Sequence, residues 1–302
     1  MLTRVIHRFC FSKNEWQLCP PLLENRGSHG ACGVDGKIYV LGGGGFRSNL
    51  ATCEVFSSSE EQWKPIKVMT TFRHALSVVH LSLRVRTDLA ATVDQKAGQE
   101  FESSPVDDMV ERSSIFAIGG WVDGKFCSSD VERYDILSDS WHQCAPMSVP
   151  RRLMGATAHD GKIYVFGGNC DDGIWYTAAV ECFDPVENTW TRKKDLPFPG
   201  PTSAVAAPDG FIYIFLHGRG VVRYCPRADE YNSLSPLPLP EWFTFDVTSR
   251  GSKVFLHGGA TQGNWSKAMF EYDTRNDSWT AMPEMLRQRR RCAAAFIEKL
   301  DA

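Results

Sequence analysis

The 302-residue chain lacks the residue spacings on which metal and disulfide chemistry are usually built. Ten cysteines are present, but none forms a Cys-x-x-Cys pair, and the eight histidines, at 7, 29, 74, 80, 142, 159, 217 and 257, include no His-x-x-x-His. Scattered mostly over strand-like segments, the cysteines read as small apolar residues rather than as a framework. No metal or cofactor is expected. No apolar run approaches the ~20 residues of a helical membrane span. There is no Gly-x-Ser-x-Gly elbow, and the glycines at 42–45 lack the lysine and helix of a phosphate cradle. Positive charge is not in excess either: 33 Lys and Arg stand against 36 Asp and Glu, a net charge of −3. That balance argues against nucleic acid as a partner. These absences count against a metalloenzyme, a membrane protein and a nucleic-acid binder. The 43% hydrophobic and 23% charged fractions are those of a globular domain.

What the chain does have is a repeat. Six aromatic pairs recur with the second member seven residues after the first: Phe9/Trp16, Phe56/Trp63, Tyr134/Trp141, Phe183/Trp190, Tyr224/Tyr231 and Tyr272/Trp279. The second members follow one another at 47, 78, 49, 41 and 48 residues, a period near fifty with one exception. Upstream of four pairs lies a short apolar run closing on two glycines: Ile38-Tyr39-Val40-Leu41-Gly42-Gly43, Ile115-Phe116-Ala117-Ile118-Gly119-Gly120, Ile163-Tyr164-Val165-Phe166-Gly167-Gly168 and Val254-Phe255-Leu256-His257-Gly258-Gly259. β-Branched, aromatic and too short for helices, these runs predict buried strands. Turn formers separate the members of each pair, as in 135–140, 184–189 and 273–278, so each unit is predicted to be a four-stranded meander. One such sheet alone would leave its rings in water, and stacking against the next copy buries them.

Strand, diglycine, a Val-Glu-x-Tyr/Phe-Asp element such as Val131-Glu132-Arg133-Tyr134-Asp135 or Val180-Glu181-Cys182-Phe183-Asp184, then Trp and a Pro-Met or Leu-Pro, resembles the kelch repeat. The resemblance covers nearly the whole chain and implies an all-β, six-bladed propeller as a single domain over 1–302. The Gly-His and Trp-Asp dipeptides of the rival propeller type are absent. The opening element, a strand, then Asn14-Glu15-Trp16, Pro20-Pro21-Leu22 and Arg26, is similar to the first blade of the Kelch-like adaptor proteins. In that family a propeller follows BTB and BACK domains and presents a captured protein to a cullin-type ubiquitin ligase. The resemblance therefore implies a protein substrate or peptide as partner, with cullin ligase components reached through a BTB region that these residues do not contain. A cytoskeletal kelch protein that binds actin is the second reading, and a propeller enzyme, such as a kelch-like oxidase or sugar epimerase, the third.

Departures from the pattern carry their own expectations. Repeat four has Leu216-His217 at the diglycine and Tyr231 for Trp, so an irregular edge is expected there. The 78-residue interval predicts a flexible acidic insertion in blade two over 83–113, with seven acids against Lys96 and Arg112 between 88 and 112. A regulatory loop around Ser103-Ser104-Pro105 is the minority reading of it. At the ends, 291–298 resembles a first, innermost strand, and 5–10 and 15–19 resemble a third and a fourth. Joined, they predict an incomplete sixth blade with no second strand, as in a truncated or alternatively started product. Arg4, Arg8 and Lys13 faintly resemble a transit peptide, but their spacing to Trp16 places them on a blade strand. With no signal peptide evident, reduced thiols and a cytoplasmic location are expected.

In a propeller the 2-to-3 and 4-to-1 loops meet on one face. The first set offers Phe46, Arg47, Trp121, Asp123, Asn169, Asp172, Trp175, Tyr176, Gln262, Asn264 and Trp265 as candidate partner-binding residues. The second offers Arg26, Arg73, Arg151, Trp242 and Arg289, the four arginines each standing four residues after a Met or Leu (for Arg151, after Met147). Trp, Tyr and Arg dominate binding hot spots. Two roles are open to the repeated arginines, contact with a partner or an internal pairing with an acid or a carbonyl. The run Arg287-Gln288-Arg289-Arg290-Arg291 could likewise anchor an acidic peptide.

Overall fold

A computed structural model describes the chain except for residues 1–2, 47, 87–108, 123–126, 171–175, 240, 291 and 297–302. Among the described residues there are strands and no helices. Five four-stranded antiparallel meanders follow one another. Blade one comprises Gly30–Val34, Lys37–Leu41, Cys53–Ser57 and Gln62–Ile66. Blade two comprises Ser77–Arg86, Met109–Ile118, Val131–Asp135 and Ser140–Cys144, and blade three Gly155–His159, Lys162–Phe166, Val180–Asp184 and Thr189–Lys193. Blade four comprises Thr202–Ala206, Ile212–Leu216, Gly220–Cys225 and Glu230–Ser233, and blade five Phe243–Arg250, Lys253–Thr261, Met269–Asp273 and Ser278–Met282. The first strands of successive blades pack side by side and line one channel, in a propeller-like arrangement.

The seven-residue aromatic spacing becomes cross-strand pairing. In all six repeats the two rings stand directly opposite on neighbouring antiparallel strands, from Phe9↔Trp16 to Tyr272↔Trp279. Ring centroids lie 4.7–5.3 Å apart. The second ring also latches the blade to the one before it. The indole N–H groups of Trp63, Trp141 and Trp190 donate to the carbonyls of Pro20, Lys67 and Ala145 at 2.8–3.0 Å, and the Tyr231 hydroxyl donates to Lys194 at 2.7 Å. The turn between third and fourth strands adds a second tie. Asp139, in the left-handed region at φ 47°, accepts from the Tyr134 hydroxyl and from the amide of Lys67 in the preceding blade. Asp229 and Asp277 repeat this with Tyr224 and Lys194 and with Tyr272 and Ser235.

In blades one to three the diglycines follow the end of the second strand in positive φ, where the chain passes close to the next loop. A Cβ on Gly119 (φ +55°) would meet the Arg151 carbonyl oxygen at 2.5 Å and the Met154 methyl at 2.7 Å. Gly119→Ala is therefore expected to lower stability by about 2 kcal/mol or more, from the left-handed backbone plus the clash, read as a fall in the urea midpoint. Gly161, at φ +71° with nothing within 4 Å, is the control and should show the backbone part alone.

Three expectations are corrected. Blade four is a regular four-stranded sheet, because Gly218 at φ +70° makes the turn that the diglycine makes elsewhere. The insertion is narrower than 83–113. Leu83 to Arg86 pair with Arg112 to Met109 as a continuation of the blade-two ladder, since Leu81, Leu83, Val85 and Val110 supply strand-forming residues on either side. Its central part, 87–108, with the Ser103-Ser104-Pro105 reading, lies outside the described residues. The composite sixth blade is not formed as a sheet. β1 (Ile6–Cys10) and β2 (Glu15–Cys19) make a two-stranded hairpin latched to the end of blade five by Trp16 Nε1 on the Pro283 carbonyl, 2.9 Å. Residues 292–294 line the channel as a sixth segment, but 292–296 pair with no strand, because among the described residues nothing fills the place between them and β1.

Candidate protein-binding face

One end of the ring gathers both loop sets. The amides of Gly43, Gly120 and Gly168, at the start of 2-to-3 loops, donate to the carbonyls of Arg73, Arg151 and Gly200 in the 4-to-1 loops, at 2.8–3.0 Å. Residues distant in sequence are thereby brought to a common rim.

The arginines expected on that rim are inside the protein. Arg73 is 0% exposed; its Nη1 donates to the carbonyls of Gly119 and Asp130 at 3.1 and 3.0 Å, and Nη2 pairs with Glu132 at 2.5 Å. Arg151 makes the same set with Gly167, Ala179 and Glu181, and Arg26 with Gly42, Thr52 and Glu54. Each glutamate in turn accepts from the chain entering its blade, at Leu23, Thr70 and Ser148. The internal pairing is thus the one the geometry supports, and Arg26, Arg73 and Arg151 present no side chain to a partner. Trp242 is buried as well. Its indole N–H donates to the Gly258 carbonyl at 2.7 Å and its ring meets Phe270 at 5.7 Å, an apolar substitute for the Arg–Glu pair. Arg289 is half-buried, donating to the Val5 carbonyl at 2.9 Å.

The aromatic loop residues stand differently. Phe46 is 80% exposed, and Tyr176, Gln262 and Asn264 are exposed. Trp121 is half-buried, stacked on His74 at 5.9 Å and covered by the Arg152 guanidinium, 3.9 Å from its ring centroid. Asn49 ties this group together, donating to the Trp121 carbonyl at 2.9 Å and meeting His74 Nδ1 at 2.5 Å. Asn169 is half-buried and holds Arg152 by a pair of backbone hydrogen bonds. Trp265 is half-buried beneath Arg290, 4.7 Å from its centroid. Arg47, Asp123, Asp172 and Trp175 lie outside the described residues. The 4-to-1 loops also carry exposed apolar residues that the repeat pattern does not single out, Leu23, Phe72, Phe198 and Leu286. Their signal was an apolar residue close to each arginine or its substitute, in a loop with no strand to bury it. Together with Phe46 and Tyr176 they give the rim an apolar, aromatic character.

A model of the Kelch motif matches residues 25–70, 112–148 and 150–197, which are blades one, two and three. Those three repeats are kelch motifs. Blades four and five, where the kelch Arg–Glu pair is missing, fall outside the matches. The chain is 30% identical over 171 residues to Kelch-like protein 35 of Mus musculus, covering 56% of this chain and 24% of that protein. It is 28% identical over 156 residues to beta-scruin of Limulus polyphemus, covering 52% and 14%, and 30% identical over 135 residues to Kelch-like ECH-associated protein 1B of Danio rerio, covering 44% and 18%. The aligned kelch repeats thus span a quarter or less of the length of these relatives. Among the described residues no helix is long and apolar enough to cross a membrane.

Proposed function

We propose that the kelch rim captures a segment of a partner protein, and that the chain is a non-enzymatic substrate receptor of a cullin-type ubiquitin-ligase adaptor in the cytoplasm. The observation that carries the first half is the ring of exposed apolar and aromatic residues at one end of the channel, Phe46, Phe72, Tyr176 and Phe198 among them. Single exposed apolar residues are ordinary, whereas a set converging from four loops is the composition of a binding patch. The second half draws on likeness to Kelch-like proteins.

Proximity labelling with the wild type and a Phe46→Ala/Tyr176→Ala variant tests both halves. Each truncation of a hot-spot aromatic removes ~2 kcal/mol, about 30-fold in affinity. The expected result is labelling of ubiquitin-ligase subunits together with at least one protein whose labelling collapses in the variant, at an unchanged melting temperature. Filament proteins in place of ligase subunits would transfer the reading to actin binding. Identical partners for wild type and variant would overturn the rim as the site.

A further inference from the structure

The channel contains a cavity of about 180 Å³ whose wall comes from all five blades and from residues 292–294. Its wall starts two residues after the 4-to-1 arginines, at Ser28, Ala75 and Leu153, so it lies at the rim end. Leu76, Val78, Met154, Ala156, Phe245 and Val247 supply apolar surface.

Most of the polar groups in this wall are committed to holding neighbouring blades together. The Ser77 hydroxyl donates to the Met154 carbonyl at 2.6 Å, and Thr202 Oγ1 accepts from the Gly155 amide at 2.8 Å while donating to the Phe166 carbonyl. His217 Nδ1 accepts from the Thr244 amide at 3.2 Å, which leaves the proton on Nε2 to donate to Ser203 at 3.1 Å. Burial keeps the ionisable neighbours neutral: His29 and His217 are lowered to about 3, and the Cys292 thiol is pushed up to about 12.

Asp246 is the exception. Its Oδ2 accepts from the Ala294 amide at 2.9 Å, and burial raises its pKa to about 6 with no lysine or arginine acting on it. No lysine, arginine or second carboxylate lines the cavity. Arg289, which acts on His29 and His257, is engaged by the Val5 carbonyl. A carboxylate taken out of water without a counter-charge is costly, and such a group in a cleft marks a binding site more often than a structural one. His29, whose Nδ1 has no partner among the described residues, adds a neutral nitrogen to the same wall.

We propose that this cavity takes an alkylammonium group, its charge paired with Asp246 and its methylene stem lying along the apolar wall. A cavity of about 150 Å³ takes up a benzene, so this one has room for the butylammonium chain of a lysine. The group can come from a lysine of the segment captured on the rim or from a free amine. The lysine source rests on the rim reading; uptake of a free amine does not, so the two fail separately.

The test uses the purified 302-residue protein and saturation-transfer NMR, with butylammonium, butanol and butyrate as probes. Butylammonium is expected to bind saturably and the other two at least tenfold more weakly, since the chain is shared and the charge is not. Asp246→Asn keeps the shape and an acceptor for the Ala294 amide, and should lower butylammonium affinity at least tenfold. The probe comparison on the wild type keeps the test decisive if that variant folds poorly. Butanol or butyrate binding as well as butylammonium would overturn the proposal, as would undiminished binding to a folded Asp246→Asn variant. A lysine capped as its acetyl methylamide separates the sources. Binding at least as tight as that of butylammonium assigns the group to a polypeptide, and its failure to bind while butylammonium does assigns it to a free amine.

Discussion

Arg73→Ala is expected to lower the unfolding free energy by about 3–5 kcal/mol, the usual loss when one partner of a buried ion pair is removed. Glu132 would remain 0% exposed with its charge unmatched, and the carbonyls of Gly119 and Asp130 would lose their donor. Burial already lowers the Arg73 pKa, with Glu132 and Asp130 acting against it, so the charged form depends on its partner. A single domain has roughly 5–15 kcal/mol in total, so the variant should melt far below the wild type. The same effect is not expected of removing both charges. Blade five places Trp242 and Phe270 where blades one to three place the arginine and the glutamate, and both lie in a well-packed seam. Arg73→Trp/Glu132→Phe should therefore recover at least half of the loss in urea unfolding followed by tryptophan fluorescence. A single variant within 1 kcal/mol of wild type would contradict the account, as would a double variant weaker than the single.

Acid should destabilise the ring well above the pH at which most carboxylates protonate. Burial depresses His29 and His217 to about 3 and His257 to about 4, with Arg26 and Arg289 pushing His29 further and Arg289 pushing His257. In the unfolded chain each titrates near 6.5. On these three imidazoles the unfolded state thus holds, between about pH 6 and 4, three protons that the folded state refuses, and stability is lost as pH falls; His7, lowered to about 4 by partial burial, Arg289 and Arg287, and His80, lowered by burial, pull the same way. Asp246, opposite His257 on the neighbouring strand, works the other way. Burial raises it to about 6, so its contribution is present at low pH and disappears as pH rises through 6. Among the four fully buried groups three against one leaves about two protons, so the slope near pH 5 is at least roughly 2–3 kcal/mol per pH unit. Urea midpoints at pH 7.5, 6 and 5 should fall accordingly. His257→Asn should flatten the fall by about one proton, while a pH-independent midpoint would contradict the burial of these imidazoles.

The fold was legible because its main signals are local. A ring and its partner seven residues on report one hairpin, and a diglycine after an apolar run reports one strand end, so neither requires knowledge of distant contacts. The role of the arginines was less so. Their spacing fixes a place at the mouth of each 4-to-1 loop, but not whether the side chain turns outward or down into the sheet. A correlated signal was nevertheless present. Glu54, Glu132 and Glu181 stand two residues before the aromatic in the three blades that have the arginine, whereas Val222 and Phe270 stand there in blades four and five, which lack it. In the sequence Trp242 reads as a rim residue, since an aromatic in a loop suggests exposure; in the fold it stands in for the missing arginine. The ladder beyond Leu81 is hidden because Glu111, Arg112, Ser113 and Ser114 disguise its returning strand, and cross-strand register is not written in either segment alone.

The hairpin joining the first two strands of blade two runs on past the length its sister blades use, with Leu81 to Arg86 facing Ser114 to Met109 in unbroken register. It leaves from the end of the channel opposite the rim. An antiparallel ribbon can grow two residues at a time without shifting any pairing beneath it. Additions at that tip are therefore insulated from the surface where partners would be chosen, and the two ends of the ring are free to diverge independently.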